Sequence, residues 1–257
     1  MVNQGNLVGC GGFNLEGRHM KNKVFKDVNA AIADIGDGAS IMVGGFTARG
    51  TPSNLLLALR DKNLRGLTII RNDASGGWLN PTDVNILIEA GQVDKVVTCF
   101  PAFGRPTKVS ELERKVLEGK TKVELVPQGT LAEQIRAAGC GIGGFYTPTG
   151  VGTAVAEGKE TRVVDGREML FEKALHADFA LIKAHISDMF GNLVYRMSTR
   201  NFNPIMAMAA RTTIVEAENL VEIGEIDPDR VVTPSIFVNR IVHIPPARLE
   251  RPAKPVR

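Results

Sequence analysis

The sequence predicts an α/β fold: an open, mostly parallel sheet flanked by helices on both faces. Short apolar runs rich in β-formers, such as LTIIR over residues 67–71, recur along the chain. Segments with helical spacing of apolar residues lie between them, and glycines punctuate the joins. Alternation of this kind implies βαβ units with right-handed crossovers and a sheet covered on both sides. At 257 residues, with 44% hydrophobic and 23% charged residues, the chain has the make-up of an ordinary globular protein with a sizeable core.

Residues 1–19 lack periodicity, and His19-Met20 reads like a cloning junction, so this stretch is taken as an added leader outside the fold. A single domain is expected over residues 20–244. From Val24 the positions Val28, Ala31, Ile32 and Ile35 keep helical spacing, and glycines at 36 and 38 end that helix. Residues 40–43 form a short buried strand, residues 44–50 a glycine-punctuated loop, and Thr51-Pro52 the cap and first turn of the next helix, which runs over 54–62. A strand, loop and helix start in this order aim unsatisfied N–H groups at one place beyond the strand, which suits an anionic ligand.

The strand at 67–71 ends in the polar loop 72–77. Helices follow over 83–90 and 110–117, with strands over 93–100 and 122–126. Thr130 is a candidate cap for a helix over 131–138. Residues 139–153, GCGIGGFYTPTGVGT, read as a long glycine-rich loop. Strands at 179–184 and 193–196 flank a turn, a Met-rich helix opens at Asn203-Pro204, and a last clear strand covers 212–217. The tail from Pro245 is Pro-rich and basic and is expected to be extended.

A net charge of +3, with cations and acids interspersed, argues against nucleic acid as partner. No apolar run reaches membrane-spanning length and the first residues lack a signal-peptide core, so a cytoplasmic protein is expected. Cys10, Cys99 and Cys140 are widely spaced and odd in number, which fits a reducing compartment. His19, His176, His185 and His243 lack metal-ligand spacing, and no metal is assigned.

Residues 37–52, DGASIMVGGFTARGTP, resemble the signature of the family I coenzyme A transferases. Asp37-Gly38, the apolar Ile41-Met42-Val43, Gly44-Gly45-Phe46, Gly50 and Pro52 fill its fixed places. The likeness continues through PQGTLAEQ (127–134), GGFYTPTGVG (143–152) and RNFNP (200–204). It is similar to the A (alpha) subunit of the acetoacetate and short-chain acyl types. The resemblance implies movement of coenzyme A from an acyl-CoA to a short-chain carboxylate such as acetoacetate, acetate, butyrate or succinate. It implies a coenzyme A thioester as substrate, with no tightly bound cofactor.

The family's nucleophilic glutamate belongs to a Ser/Gly-Glu-Asn-Gly motif on a B subunit, where it forms a covalent thioester. Here Glu218-Asn219 comes nearest, but Leu220 follows, and the pair reads as a surface coincidence. No catalytic nucleophile is therefore expected in this chain, which should be inactive without a B subunit in a heterodimer or heterotetramer. The resemblance places coenzyme A at Gly44, Gly45, Phe46, Thr47, Ala48, Arg49 and Gly50, where glycines let N–H groups approach a ligand oxygen. It places Gln128 near the reacting carbonyl as a preformed donor, with Asn72 a second candidate of the same type. Residues 99–107, CFPAFGRPT, depart from the pattern of the acetoacetate and butyrate enzymes and bear on acyl specificity.

Two other readings stand beside this one. A non-catalytic metabolite-binding module could share such a sheet. A nicotinamide-dependent dehydrogenase is suggested by G-x-G-x-x-G at Gly139, Gly141 and Gly144, but a helix precedes this triplet and Pro148 follows it, against the strand-before, helix-after context that fingerprint requires.

Overall fold

The computed structural model describes residues 22–47, 49–74, 82–101 and 109–245. Residues 1–19, Ala48, most of the 99–107 segment and the tail beyond Pro245 lie outside the described residues. The first half of the chain alternates as expected: α1 (Val28–Ala31), β1 (Ser40–Val43), α2 (Ser53–Asp61), β2 (Leu67–Ile70), α3 (Asn85–Glu89), β3 (Val93–Thr98), α4 (Glu111–Leu117), β4 (Lys122–Leu125) and α5 (Gln128–Gly139). Then come β5 (Gly144–Thr147), β6 (Thr161–Val164), β7 (Arg167–Lys173), β8 (Ala177–Asp188), β9 (Leu193–Val194), α6 (Asn203–Ala209), β10 (Ala210–Val221) and β11 (Arg240–His243).

The main sheet runs in the order β11-β10-β8-β1-β2-β3-β4, with every neighbouring pair in that path parallel, and β9 returns antiparallel on β8. Side chains alternate across it because the strand period is two. Ile41, Val43, Ile69, Val96, Leu181 and Ile214 face α1 to α4, while Met42, Ile70, Val97, Ile182 and Val215 face α5 and α6. Both faces are thus buried, as an all-parallel path requires. From β1 the chain steps one way to β2, β3 and β4, whereas β8 pairs on the other side of β1 and leads to β10 and β11. The order reverses between β1 and β8, so the loop after β1 sits at the topological switch point, where open α/β sheets bind ligands beyond the carboxyl ends of their strands.

Strand–helix alternation ends after α5. Residues 139–153 are not one long loop: β5 lies within them and pairs antiparallel with β7, which pairs antiparallel with β6 in a separate three-stranded sheet. Flanking glycines mask the β-forming Phe145-Tyr146-Thr147. The hairpin has a readable signal in Asp165-Gly166, which adopt φ of 50° and 74° between Val164 and Arg167, as a two-residue turn with both centres left-handed demands. This sheet is fastened to α5 through Glu172, 2% exposed, which accepts from Gln134 Nε2 at 3.0 Å and pairs with Lys159 Nζ at 2.6 Å.

Two helix starts also differ from expectation. Thr130 does not cap α5; the helix opens at Gln128 behind Pro127, and Thr130 is buried inside it with its hydroxyl unpartnered among the described residues. Thr51-Pro52 lies just outside α2, with Pro52 at the cap position and no side-chain cap bond from it. The first predicted helix shortens to α1, because Val24 is drawn into a parallel bridge with Ile241 beside β11.

Asp178 staples β8 to β1 by accepting from the Ser40 hydroxyl at 2.6 Å and the Ser40 N–H at 3.0 Å. These bonds hold its carboxyl below the usual value. A depressed folded-state pKa contributes stability that is present above the unfolded value and lost as pH falls through the folded one. Asp178→Asn is therefore expected to lower stability at pH 7 by roughly 1 kcal/mol and to flatten its decline below about pH 4, as read by urea unfolding across pH. An unchanged acid limb would assign that decline to other carboxylates.

Candidate active site

The glycine loop leaves β1 through a change of partners. Gly44 N–H still donates to Leu181 O of β8 at 2.9 Å. A regular parallel ladder would return the Lys183 N–H to the Gly44 carbonyl. Instead Gly44 O turns to Arg71 Nη1 at 2.8 Å, and Lys183 N–H donates to Asn203 Oδ1 at 3.0 Å. Asn203, 0% exposed, occupies the place a side chain at 44 would need: a Cβ there would lie 1.9 Å from Asn203 Oδ1. Its Nδ2 donates to Gly50 O at 3.2 Å and Thr199 O at 2.8 Å, and Asn201 Nδ2 donates to Arg49 O at 3.0 Å. The RNFNP stretch thereby clasps both ends of the loop.

Inside the loop, Phe46 and Arg49 exchange backbone hydrogen bonds at 2.9 and 3.0 Å. Thr47 takes φ of 49° and gives its N–H to Asp73 Oδ1 at 2.8 Å. The N–H groups of residues 44, 46, 47 and 49 are thus engaged within the protein. Among the described residues no acceptor meets the N–H groups of Gly45 and Gly50, and both glycines are buried. Phe46, Thr47 and Arg49, with Ser198 and Asn201, line an open cleft of about 420 Å³. A larger hollow of about 650 Å³, lined by Lys23, Asp34, Thr212 and Arg240 among others, lies at the amino ends of β10 and β11, away from the switch point.

The expectation that the start of α2 awaits an anionic ligand is overturned, because the protein supplies the anion. Glu216 of β10, 1% exposed, accepts from Asn54 N–H at 2.9 Å, Leu55 N–H at 3.4 Å and Asn54 Nδ2 at 3.0 Å. Ser53 and Leu56 N–H donate to Thr51 O and Pro52 O. A carboxylate from a strand distant in sequence is the favourable charge for a helix N-terminus. Lys183 Nζ, 3.5 Å away, balances its burial. Glu216→Ala is expected to lower stability by about 3–5 kcal/mol, since a helix cap and a buried pair go together. Glu216→Gln, which keeps an oxygen toward the helix, should lower it by about 1–2 kcal/mol. Equal urea midpoints for Glu216→Ala and wild type would show that the helix start does not need this charge.

Gln128 and Asn72, expected as two donors, meet. Gln128 opens α5 with an exposed side chain, and its Nε2 donates to Asn72 Oδ1 at 2.7 Å. Asn72, 2% exposed, donates through Nδ2 to Asp73 Oδ1 at 2.9 Å. That same oxygen receives the Thr47 N–H of the glycine loop. Cys99 Sγ lies 2.7 Å from Asn72 O and 3.2 Å from Asn72 Oδ1. Burial, then the Asp73 charge, pushes the Cys99 thiol up, so it serves as a proton donor in this network and not as a thiolate. The chain Thr47–Asp73–Asn72–Gln128 joins the loop after β1, the end of β2 and the start of α5 on the carboxyl side of the sheet.

Of the Glu218-Asn219 pair, expected at the surface, Asn219 is exposed and Glu218 is drawn partly inward. Glu218 lies within β10, partly buried, with Oε2 2.9 Å from His185 Nδ1 and Oε1 3.4 Å from Lys183 Nζ, while Asn219 Nδ2 donates to His185 O at 2.8 Å. Burial pushes the Glu218 carboxyl up, but the His185 hydrogen bond and the Lys183 charge bring it below its ordinary value. It belongs to an ion-paired cluster between two strands. Local sequence pattern does not single out Arg71, Asp73, Asn201 or Asn203; the last two lie in RNFNP, which stands out only for its likeness to the family.

Among the described residues no helix is long and apolar enough to cross a membrane. The chain matches the family model described as "Coenzyme A transferase" over residues 25–243. It is 49% identical over 237 residues to the A subunit of the 3-oxoadipate CoA-transferase of Pseudomonas putida, covering 92% of this chain and 100% of that one. It is 48% identical over 206 residues to the alpha subunit of the acetate CoA-transferase of Escherichia coli K12, covering 80% and 90%. Among solved structures, the glutaconate coenzyme A-transferase of Acidaminococcus fermentans superposes with a TM-score of 0.75 at 23% identity, over 87% of this chain and 76% of that one, which is a likeness of fold. A family model spanning the whole described sheet and full-length relatives near half identity establish that the chain belongs to the coenzyme A transferase family.

Proposed function

We propose that this protein is the A-type component of a heteromeric coenzyme A transferase. It would act with a B subunit to move coenzyme A from an acyl-CoA to a short-chain carboxylate. The observation that carries the reading is the joining, at the switch point of the sheet, of the glycine loop and the Gln128–Asn72 pair by one hydrogen-bonded chain through Asp73. The loop from Gly44 to Gly50, with the cleft lined by Phe46, Thr47 and Arg49, would hold coenzyme A; Ala48 would belong to the same loop. Gln128 would give its second amide N–H to the thioester carbonyl, whose oxygen gains negative charge as a carboxylate attacks. The attacking glutamate would come from the B subunit, since the Glu218 carboxylate is committed to Lys183 and His185. Relatives named for 3-oxoadipate and for acetate stand at similar identity, which supports an acceptor among 3-oxo and simple short-chain carboxylates.

The test is co-expression with a B subunit of the family and a coenzyme A exchange assay. Succinyl-CoA or acetyl-CoA would serve as donor, with acetoacetate, 3-oxoadipate, acetate and butyrate as acceptors. Exchange to at least one acid, absent without the B subunit, is expected. Exchange by this chain alone would overturn the division of labour, and exchange to none of the acids would overturn the reading.

A further inference from the structure

Arg71 is, among the described residues, the largest fully buried side chain, and it belongs to no core. It follows β2, and its guanidinium turns into the glycine loop. Nε donates to Asp73 O at 3.0 Å, Nη1 to Gly44 O at 2.8 Å, and Nη2 to Thr47 O at 2.8 Å and Thr51 Oγ1 at 3.1 Å. Its acceptors are three main-chain carbonyls and a hydroxyl, spread from one end of the loop to the other. The geometry around it is built to admit it. A Cβ at Gly45, where φ is 116°, would stand 2.8 Å from Thr51 Oγ1 and 3.1 Å from Arg71 Nη1. Thr47 holds a left-handed backbone that points its carbonyl at Nη2 while its N–H reaches Asp73. The Gly44 carbonyl gives up its place in the ladder with β8 for Nη1.

We propose that Arg71 is a positioning residue for coenzyme A transfer, drawing the loop's carbonyls inward and locking the loop to the Asp73–Asn72–Gln128 chain. This rests on the functional reading above. Carbonyl oxygens turned toward a buried cation no longer face an anionic ligand, and Phe46 and Arg49 are left exposed on the cleft side of the loop. A planar fork can meet acceptors in several directions at once, whereas the ammonium of a lysine is a single point that cannot span them.

The experiment uses the full chain carrying Arg71→Lys or Arg71→Met. Hydrogen exchange, measured without ligand, follows the amides of Phe46 and Thr47 against those of β8 and β10. Loop amides are expected to exchange about tenfold faster or more in both variants, with the strands protected as in wild type. In the complex with the B subunit, KM for succinyl-CoA should rise about tenfold while kcat changes less, and Lys should restore little. A structural role alone would reduce the active fraction and leave KM in place. Should Arg71→Met fail to fold, Arg71→Lys carries the test. Wild-type loop exchange in a folded variant, or an unchanged KM, would overturn the proposal. A wild-type complex that transfers no coenzyme A would sink the functional reading instead, and the loop exchange would still decide Arg71.

Discussion

Gly44→Ala is expected to destabilise the chain by about 4 kcal/mol and to bring coenzyme A exchange to background. The residue's φ is not in the left-handed region, so the backbone would accept alanine. Space is the obstacle: the new methyl would lie 1.9 Å from Asn203 Oδ1 and 2.7 Å from its Cγ. Asn203 cannot yield without leaving the Lys183 N–H and the Gly50 carbonyl without their partner, and buried orphaned groups cost about 1–3 kcal/mol each. The loop would then lose its clasp at the point where it leaves β1. A double-mutant cycle isolates the cause. Asn203→Ala removes the obstacle along with its hydrogen bonds, so adding Gly44→Ala to it should cost little. Urea unfolding should show the double variant about 3 kcal/mol more stable than the sum of the singles. Strict additivity would show that the contact between 44 and 203 is not what makes glycine necessary.

The contrast between Gly44 and Arg71 shows what a sequence of this kind discloses. The alternation of β1 to α5 is legible because buried parallel strands read as apolar runs, and the glycine loop because three changes of character fall within sixteen residues, 37–52. Local pattern cannot say what faces the loop. Arg71 ends LTIIR like any polar residue closing a strand, and only the sheet order brings its guanidinium to Gly44, Thr47 and Thr51. Glu216 is a further case. Helix physics rightly demands an anion at α2, but the anion lies on β10, 162 residues away from Asn54, and nothing local marks it. The antiparallel sheet escapes a local reading for the opposite reason. Its Asp165-Gly166 turn is visible, yet the glycine density before β5 reads as loop.

Gln128→Ala is expected to reduce kcat/KM for coenzyme A exchange about a hundredfold, with stability changed by less than about 0.5 kcal/mol because the side chain is exposed. The direction of its amide is set two residues back. Asp73 Oδ1 can only accept, and it takes the Asn72 Nδ2 proton, so Asn72 must present Oδ1 to Gln128. Gln128 must then offer Nε2, and the second hydrogen of that group is held ready for an oxygen in the site. A donor oriented before the substrate arrives needs no reorganisation as charge develops, which is the source of its effect on rate. Gln128→Glu separates this from simple loss of contact. Its carboxylate would oppose both the Asn72 oxygen and the developing charge, so it should fall below Gln128→Ala in kcat while keeping the wild-type volume. If Gln128→Ala exchanges coenzyme A at the wild-type rate, the pair only ties α5 to β2, and charge on the thioester oxygen must be met by the B subunit.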